Sequence, residues 1–173
     1  MSVELSRYVR DVADFPKPGV VFKDLTPLLA DARAFAASIE ALVAPFAEAG
    51  IERVVGIEAR GFIFGAAAAH ALGAGFVPMR KPRKLPAKTI GVDYALEYGS
   101  DRLEIHADAL VQGERVLIVD DVLATGGTLA AAAMLCEQAG AHVVGAAVVA
   151  EIVFLGGRAR WKREAPLHAV LRF

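Results

Sequence analysis

Residues 116–128, Val-Leu-Ile-Val-Asp-Asp-Val-Leu-Ala-Thr-Gly-Gly-Thr, limit what this chain can fold into more than any other stretch. Four apolar and mostly β-branched residues, 116–119, read as a strand buried on both faces, and the Ala-rich run 129–139 reads as the helix that follows. The junction suits an anion. Gly126 and Gly127 are expected to take positive φ and let the backbone come close to a ligand, and a helix starting near Thr128 presents unpaired N–H groups and a positive dipole end. Thr125 and Thr128 add hydroxyl donors beside Ala124. Asp120 and Asp121, placed where the strand ends, would repel a phosphate but suit hydroxyl donors such as a ribose diol. Diol and phosphate side by side describe a phosphorylated sugar.

A strand ending in acids before a Gly-Gly turn also fits any ordinary βα unit of a parallel sheet, so the pattern alone leaves that reading open. It lacks the Gly-Lys-Ser/Thr ending of a P-loop, which disfavours a nucleoside-triphosphate site of that kind. At 173 residues and 55% hydrophobic content the chain can bury one sizeable core, which suggests a single domain over 1–173. A net charge of −1 without a long basic run argues against nucleic acid as a partner. The apolar runs, such as 143–150, fall short of a membrane span, and residues 1–11 carry four charges and no signal-like apolar region. A cytoplasmic location is therefore expected. Cys136 cannot form an internal disulfide and reads as a small buried hydrophobe.

Strands and helices alternate along the rest of the chain. Phe15-Pro16-Lys17-Pro18-Gly19 is a rigid irregular entry to the apolar residues 20–22. Asp31 is a plausible N-cap for a helix carrying Phe35, Ile39, Leu42, Val43 and Phe46, which Pro45 should kink or end before Gly50. Residues 53–57 read as a strand and 62–72 as a helix, joined by Glu58-Ala59-Arg60-Gly61 at the carboxyl end of the strand, where open α/β sheets place ligands. There Arg60 is either a solvated charge or, with the turn amides, part of a pyrophosphate site. A third strand, 76–79, leads into 80–88, which has five cations in nine residues and reads either as a solvated loop or as a site for a polyanionic small molecule. Residues 94–98 and 102–106 alternate around Gly99-Ser100-Asp101 as a β-hairpin, and together with the basic run they suggest a mobile lid over about 80–106. Glu97 is either an exposed acid or a proton-transfer group. An apolar strand, 141–152, precedes a turn at Gly156-Gly157. The cations around Trp161 read as a surface helix or a subunit contact, and 167–173 as an edge strand. This order indicates an α/β fold, a mostly parallel twisted sheet with helices on both faces.

Five segments, in order and spacing, resemble the adenine phosphoribosyltransferases of the type I phosphoribosyltransferase fold. They are Phe-Pro-Lys-Pro-Gly-Val-Val-Phe from residue 15, Gly-Ile-Glu-Ala-Arg-Gly-Phe from 56, Arg-Lys-Pro-Arg-Lys-Leu-Pro from 80, Leu-Glu-Tyr-Gly from 96, and the 116–128 signature. The likeness runs from about residue 15 to 157 and weakens in the tail. It implies transfer of a phosphoribosyl group from phosphoribosyl pyrophosphate (PRPP) to N9 of adenine, giving AMP and pyrophosphate, with Mg²⁺ held mainly by PRPP rather than by protein ligands, in a homodimer. By the same resemblance, Asp120 and Asp121 hold the ribose, and Ala124, Thr125, Gly126, Gly127 and Thr128 the 5′-phosphate. Glu58, Ala59, Arg60, Gly61, Arg80, Lys84 and Tyr98 serve pyrophosphate. Phe22 and Ile152 sandwich the base, backbone groups of Val21 and Lys23 read its edge, and Glu97 exchanges a proton with it. Residues 1–30 would form a small N-terminal hood. Arg83 stands where members of the family often carry glycine.

A phosphoribosyltransferase for hypoxanthine, guanine or xanthine is the nearest rival. Such sites place a donor, often lysine, against the 6-carbonyl, and no lysine lies close to Ile152 in sequence. A non-catalytic PRPP-sensing regulator would need a nucleic-acid-binding appendage for which 173 residues leave little room. A Mg²⁺-dependent phosphatase or receiver domain would use both acids but leave the Thr-Gly-Gly-Thr turn unexplained.

Overall fold

Alternation within one strand sets the centre of the molecule. In the computed structural model, which describes residues 3–95 and 99–173, Val116 and Ile118 point into one apolar cluster and Leu117 and Val119 into another, and all four are fully buried. A strand can be apolar at every position only when both faces of its sheet are covered. That strand is the middle of five.

In chain order the elements are β1 (Arg10–Ala13), β2 (Val21–Asp24), α1 (Thr26–Ala30), α2 (Ala32–Val43), β3 (Arg53–Ile57), α3 (Gly61–Leu72), β4 (Gly75–Met79), β5 (Thr89–Ala95), β6 (Ser100–His106), β7 (Arg115–Leu123), α4 (Gly127–Gln138), β8 (His142–Glu151) and β9 (Leu167–Arg172). The main sheet has the order β4-β3-β7-β8-β9 with every neighbour parallel. α2 and α3 cover one face, and α4 covers the other. β1 and β2 form a separate antiparallel ribbon, as do β5 and β6.

The local chemistry of α2 follows its sequence. Asp31 Oδ1 accepts from the Arg33 and Ala34 amides at 3.0 and 2.9 Å, a cap that contributes about 1 kcal/mol. Pro45 ends the regular helix at Val43 and leaves a 3₁₀ turn, Ala44–Phe46, that drops the Phe46 ring into the core. α4 is apolar almost all round because it lies between the sheet and the hairpin, whose Val92, Leu103 and Ile105 are buried against the same cluster.

Several expectations need correction. β7 does not stop at the acids but runs on through them to Leu123, because pairing with β8 continues as far as Leu123 and Glu151. α4 starts earlier than expected, at Gly127, which is helical; among the glycines of this turn only Gly126 has positive φ, at +80°. The first arm of the hairpin begins at Thr89 rather than at Tyr94, residues 96–98 of the expected arm lie outside the described residues, and Ser100 and Asp101 belong to the second strand. Val92, Leu103 and Ile105 bury one face of the hairpin in the core. Arg83 has φ of +63°, a left-handed conformation that favours glycine. The tail is no surface helix. Its 3₁₀ turn, Gly157–Arg160, leads to β9 on the sheet edge, Arg158 and Arg163 pair with Glu151 and Glu137, and Trp161 packs against the core. No helix among the described residues is long and apolar enough to cross a membrane.

Candidate active site

β3 and β7 are parallel neighbours, so the turns leaving their carboxyl ends lie side by side. Contact between them is close. A Cβ on Gly61 would stand 2.8 Å from Asp120 Oδ1 and 3.1 Å from the Val119 carbonyl oxygen, so α3 can begin this near the acids only from a glycine. Across the junction Arg60 donates from Nε to the buried Asp121 carboxylate, and its guanidinium stands 5.0 Å from the centre of the Phe22 ring. Asp120 Oδ1 accepts from the Asp121 amide at 2.9 Å. Burial, and then the charge of Asp121 beside it, push the Asp120 carboxyl well above its ordinary range.

The second turn is an anion cradle by geometry. Gly126 is the N-cap of α4 in the left-handed conformation, and the first amides of the helix have no intrahelical acceptor. The backbone of Gly157 lies against this turn so tightly that a Cβ on Gly126 would be 2.2 Å from the Gly157 carbonyl oxygen. On the other side, Thr128 donates to the Tyr94 hydroxyl at 3.3 Å, and that hydroxyl donates to Asp101 at 3.1 Å and accepts from Lys81 at 3.0 Å. Burial works against the Lys81 charge, but its bonds to Asp101 and Tyr94 outweigh this and the ammonium pKa rises. Lys81 also donates to Asp101.

A cleft of about 420 Å³ opens between these turns and the β1–β2 ribbon, within the usual range for small-molecule sites. It is lined by Val21, Phe22 and Lys23 of the ribbon, by Ile152, and by Arg60, Asp121, Ala124 and Thr125. A recess of about 80 Å³ adjoins it, bounded by Asp120, Ala124, Thr125, Gly126 and Thr128. Phe22 is steadied by Phe15, edge to face at 5.1 Å. Lys23 reaches Asp11 at 2.6 Å and lies over the Phe173 ring. The Ile152 amide donates to the Leu123 carbonyl at 2.9 Å, which ties this residue to the end of β7.

The residues expected for base, ribose and phosphate therefore converge, with Gly127 opening α4 beside them. Those expected for pyrophosphate do so in part. Glu58, Ala59 and Gly61 form the first turn, but Arg80 is turned onto Glu58, donating at 3.1 and 3.2 Å, which holds that carboxyl below its ordinary range. Lys84 is exposed and offers its carbonyl to Arg80 at 3.0 Å. Glu97 and Tyr98 lie outside the described residues. Sequence reasoning missed Phe154 and Leu155, which line the cleft directly after Ile152, and the Lys81, Tyr94 and Asp101 group. The apolar continuation past Ile152 was the available signal for the former; the latter is a tertiary meeting with no local signature.

Comparisons agree with this geometry. The model of the phosphoribosyl transferase domain matches residues 23–166. An adenine phosphoribosyltransferase of Xanthomonas campestris is 56% identical over 165 residues, 95% of this chain and 89% of that one. The crystal structure of adenine phosphoribosyltransferase from Rhodothermus marinus superposes with a TM-score of 0.94 at 51% identity, covering 98% of this chain and 96% of that one. That from Saccharomyces cerevisiae, solved with adenine and an imino-altritol bisphosphate, gives 0.90 at 41% identity and 97% of each chain. Matched over nearly its whole length in sequence and in backbone, the chain belongs to the adenine phosphoribosyltransferases.

Proposed function

We infer that this chain transfers the 5-phosphoribosyl group of PRPP to N9 of adenine, forming AMP and releasing pyrophosphate in purine salvage. The observation that carries the reading is the opening of three chemistries onto one cleft: an aromatic and apolar slot, a pair of acids, and a helix N-terminus preceded by a left-handed glycine. The slot between Phe22 and Ile152 takes the flat base, with the backbone of Val21 and Lys23 reading its edge. Asp120 and Asp121 take the ribose hydroxyls. The turn 124–128 holds the 5′-phosphate, a handle remote from the reacting carbon that orients it.

Breaking the bond from C1 to the pyrophosphate oxygen builds positive charge on the sugar and negative charge on the departing group. The two acids favour the first. Arg60 and the turn amides after Glu58, whose own amide is held by the Met79 carbonyl, favour the second, and Arg60 must then exchange its Asp121 partner for phosphate oxygens. Its position between Phe22 and Asp121 supports such a role, because a base entering the slot and a diol engaging the acids would both displace it. Mg²⁺ arrives as part of the PRPP substrate. The carboxylates of Glu58, Asp120 and Asp121 are hard oxygen donors of the kind that would suit an ion chelated mainly by PRPP, which would neutralise charge on the leaving group. Glu97 exchanges a proton with the base, while Arg80, Lys84 and Tyr98 act on pyrophosphate from the hairpin side. Closure there excludes water from the activated C1. Residues 1–30 act as a hood over the base in one domain, and the enzyme works as a cytoplasmic homodimer.

Incubating the protein with PRPP, Mg²⁺ and adenine, hypoxanthine, guanine or xanthine in turn tests the reaction. AMP should form from adenine, and its failure to appear there sinks the assignment. With Glu97→Gln turnover should be lost while PRPP binding is largely kept; with Asp121→Asn ribose binding should weaken.

A further inference from the structure

The buried carboxylate at the end of β8 takes no part in the reaction just described, yet an arginine from beyond the cleft wall is forked onto it. Glu151, 3% exposed, receives both arms of the Arg158 guanidinium, Nε at 3.0 Å on one oxygen and Nη2 at 2.6 Å on the other. Arg158 Nη1 also donates to the Leu167 carbonyl of β9 at 2.6 Å, and Arg172 approaches Glu151 at 3.2 Å.

Between the two partners of this pair lies a six-residue strap, 152–157, that touches both halves of the site. Its first leg, Ile152 with Phe154 and Leu155, lines the base cleft. Its second leg, Gly157, lies on the phosphate turn, where a Cβ would come within 2.1 Å of the Ala124 carbonyl oxygen. Packing does little to hold the strap in between, since Val153, Phe154 and Leu155 are 44%, 82% and 40% exposed. Position is set from the ends. Ile152 and Val153 are fixed by their amides to Leu123 and Phe173 at 2.9 and 2.8 Å, and the far end is fixed by the fork of Arg158.

We propose that Arg158 is a positioning residue for the transfer reaction, which by forking onto Glu151 sets the distance between the base slot and the phosphate turn. The proposal rests on the phosphoribosyl transfer inferred above. A planar bidentate pair fixes direction as well as distance, which a lysine in the same place cannot do. Loss of the fork lets the strap ride up, widening the slot at Ile152 and loosening the turn at Ala124 together. A shift of this kind, remote from the reacting bond, costs on the order of tenfold in affinity at each subsite.

The test uses full-length Arg158→Gln, Arg158→Lys and Gly157→Ala. Initial rates are measured against adenine at saturating PRPP and against PRPP at saturating adenine, with calorimetric titration of ribose 5-phosphate and a thermal midpoint for each variant. Arg158→Gln should raise both KM values about tenfold with kcat within about threefold, Arg158→Lys should lie between it and wild type, and Gly157→Ala should raise the PRPP value more than the adenine value. A merely structural role lowers apparent kcat through lost folded enzyme and leaves both KM values in place. Both KM values within about twofold of wild type in folded Arg158→Gln overturn the proposal. If that variant does not fold, an unchanged PRPP KM in Gly157→Ala overturns it. A wild-type chain that forms no AMP refutes the reaction alone; the ribose 5-phosphate affinity still reads the tether, and equal values in wild type and the variants then overturn it.

Discussion

Replacing Gly61 by alanine is a sharp probe of how the two ligand turns fit together, because two opposing effects of known size meet there. φ at this residue is not positive, so alanine brings no backbone strain, and as the first residue of α3 it gains part of the roughly 1 kcal/mol by which alanine exceeds glycine in a helix. Against this, the new Cβ would stand 2.8 Å from Asp120 Oδ1, 3.1 Å from the Val119 carbonyl oxygen and 3.2 Å from Asp120 Cα. Two of these three atoms are backbone of the central strand and cannot swing aside. Overpacking of this kind costs about 1–3 kcal/mol, so the clash wins and the net loss is about 1–2 kcal/mol. At this chain length that lowers the melting temperature by about 2–8 °C. Ala66→Gly, exposed in the middle of the same helix, calibrates the propensity effect and should lose about 1 kcal/mol. Function should fall along with stability, because relief of the contact moves the Asp120 carboxylate. We expect PRPP affinity by calorimetry to fall about tenfold. A Gly61→Ala protein that melts at or above wild type and binds PRPP as tightly would refute the account of the contact between α3 and Asp120.

Two further outcomes follow from the electrostatics. Burial, chiefly, pushes the Cys136 thiol up to about 12, so a disulfide reagent at about pH 8 should leave the native protein untouched and label one thiol per chain after unfolding in guanidinium. The Thr26 amide, and then Arg10, hold the Asp24 carboxyl down from its ordinary 3.8 to about 2. Since this pKa is lower in the folded chain, Asp24 contributes stability in full above about pH 4 and loses it as the pH falls toward 2. The difference in urea midpoint between wild type and Asp24→Asn should shrink across that window, and a difference independent of pH would contradict it.

Much of this architecture could be read from patterning, and the parts that could not share a cause. Uninterrupted apolar runs identify β3, β7 and β8 because a strand covered on both faces has no polar side to show. The end of β7 was set too early because Asp120 and Asp121 look like loop residues, whereas a neighbouring strand keeps their backbone paired. In the hairpin, alternation seen after Tyr94 hid the fact that Asp93 already faces Arg102 across the ladder. The arginines of the tail form an amphipathic pattern on paper. Yet Arg158 turns inward to a carboxylate buried in the sheet, and no local periodicity reveals a partner of that kind. The meeting of the two acids with the glycine turn was legible because one contiguous motif supplies both. Phe154 and Gly157 on the strap after β8 and Tyr94 on the hairpin come to the site from outside that motif and were not.

The strand order carries a last consequence. From β3 the chain steps outward to β4, then returns past β3 to β7 and continues the other way to β8 and β9, so the helices leaving β3 and β7 depart to opposite faces. A crevice opens at that point because the helices that follow the two strands lead away from it on opposite faces. Its floor is inherited with the sheet, while its two sides come from residues near the amino and carboxyl ends of the chain. Such a partition lets substitutions near the two extremities reshape the cleft walls without disturbing the acids and the glycine turn at its floor.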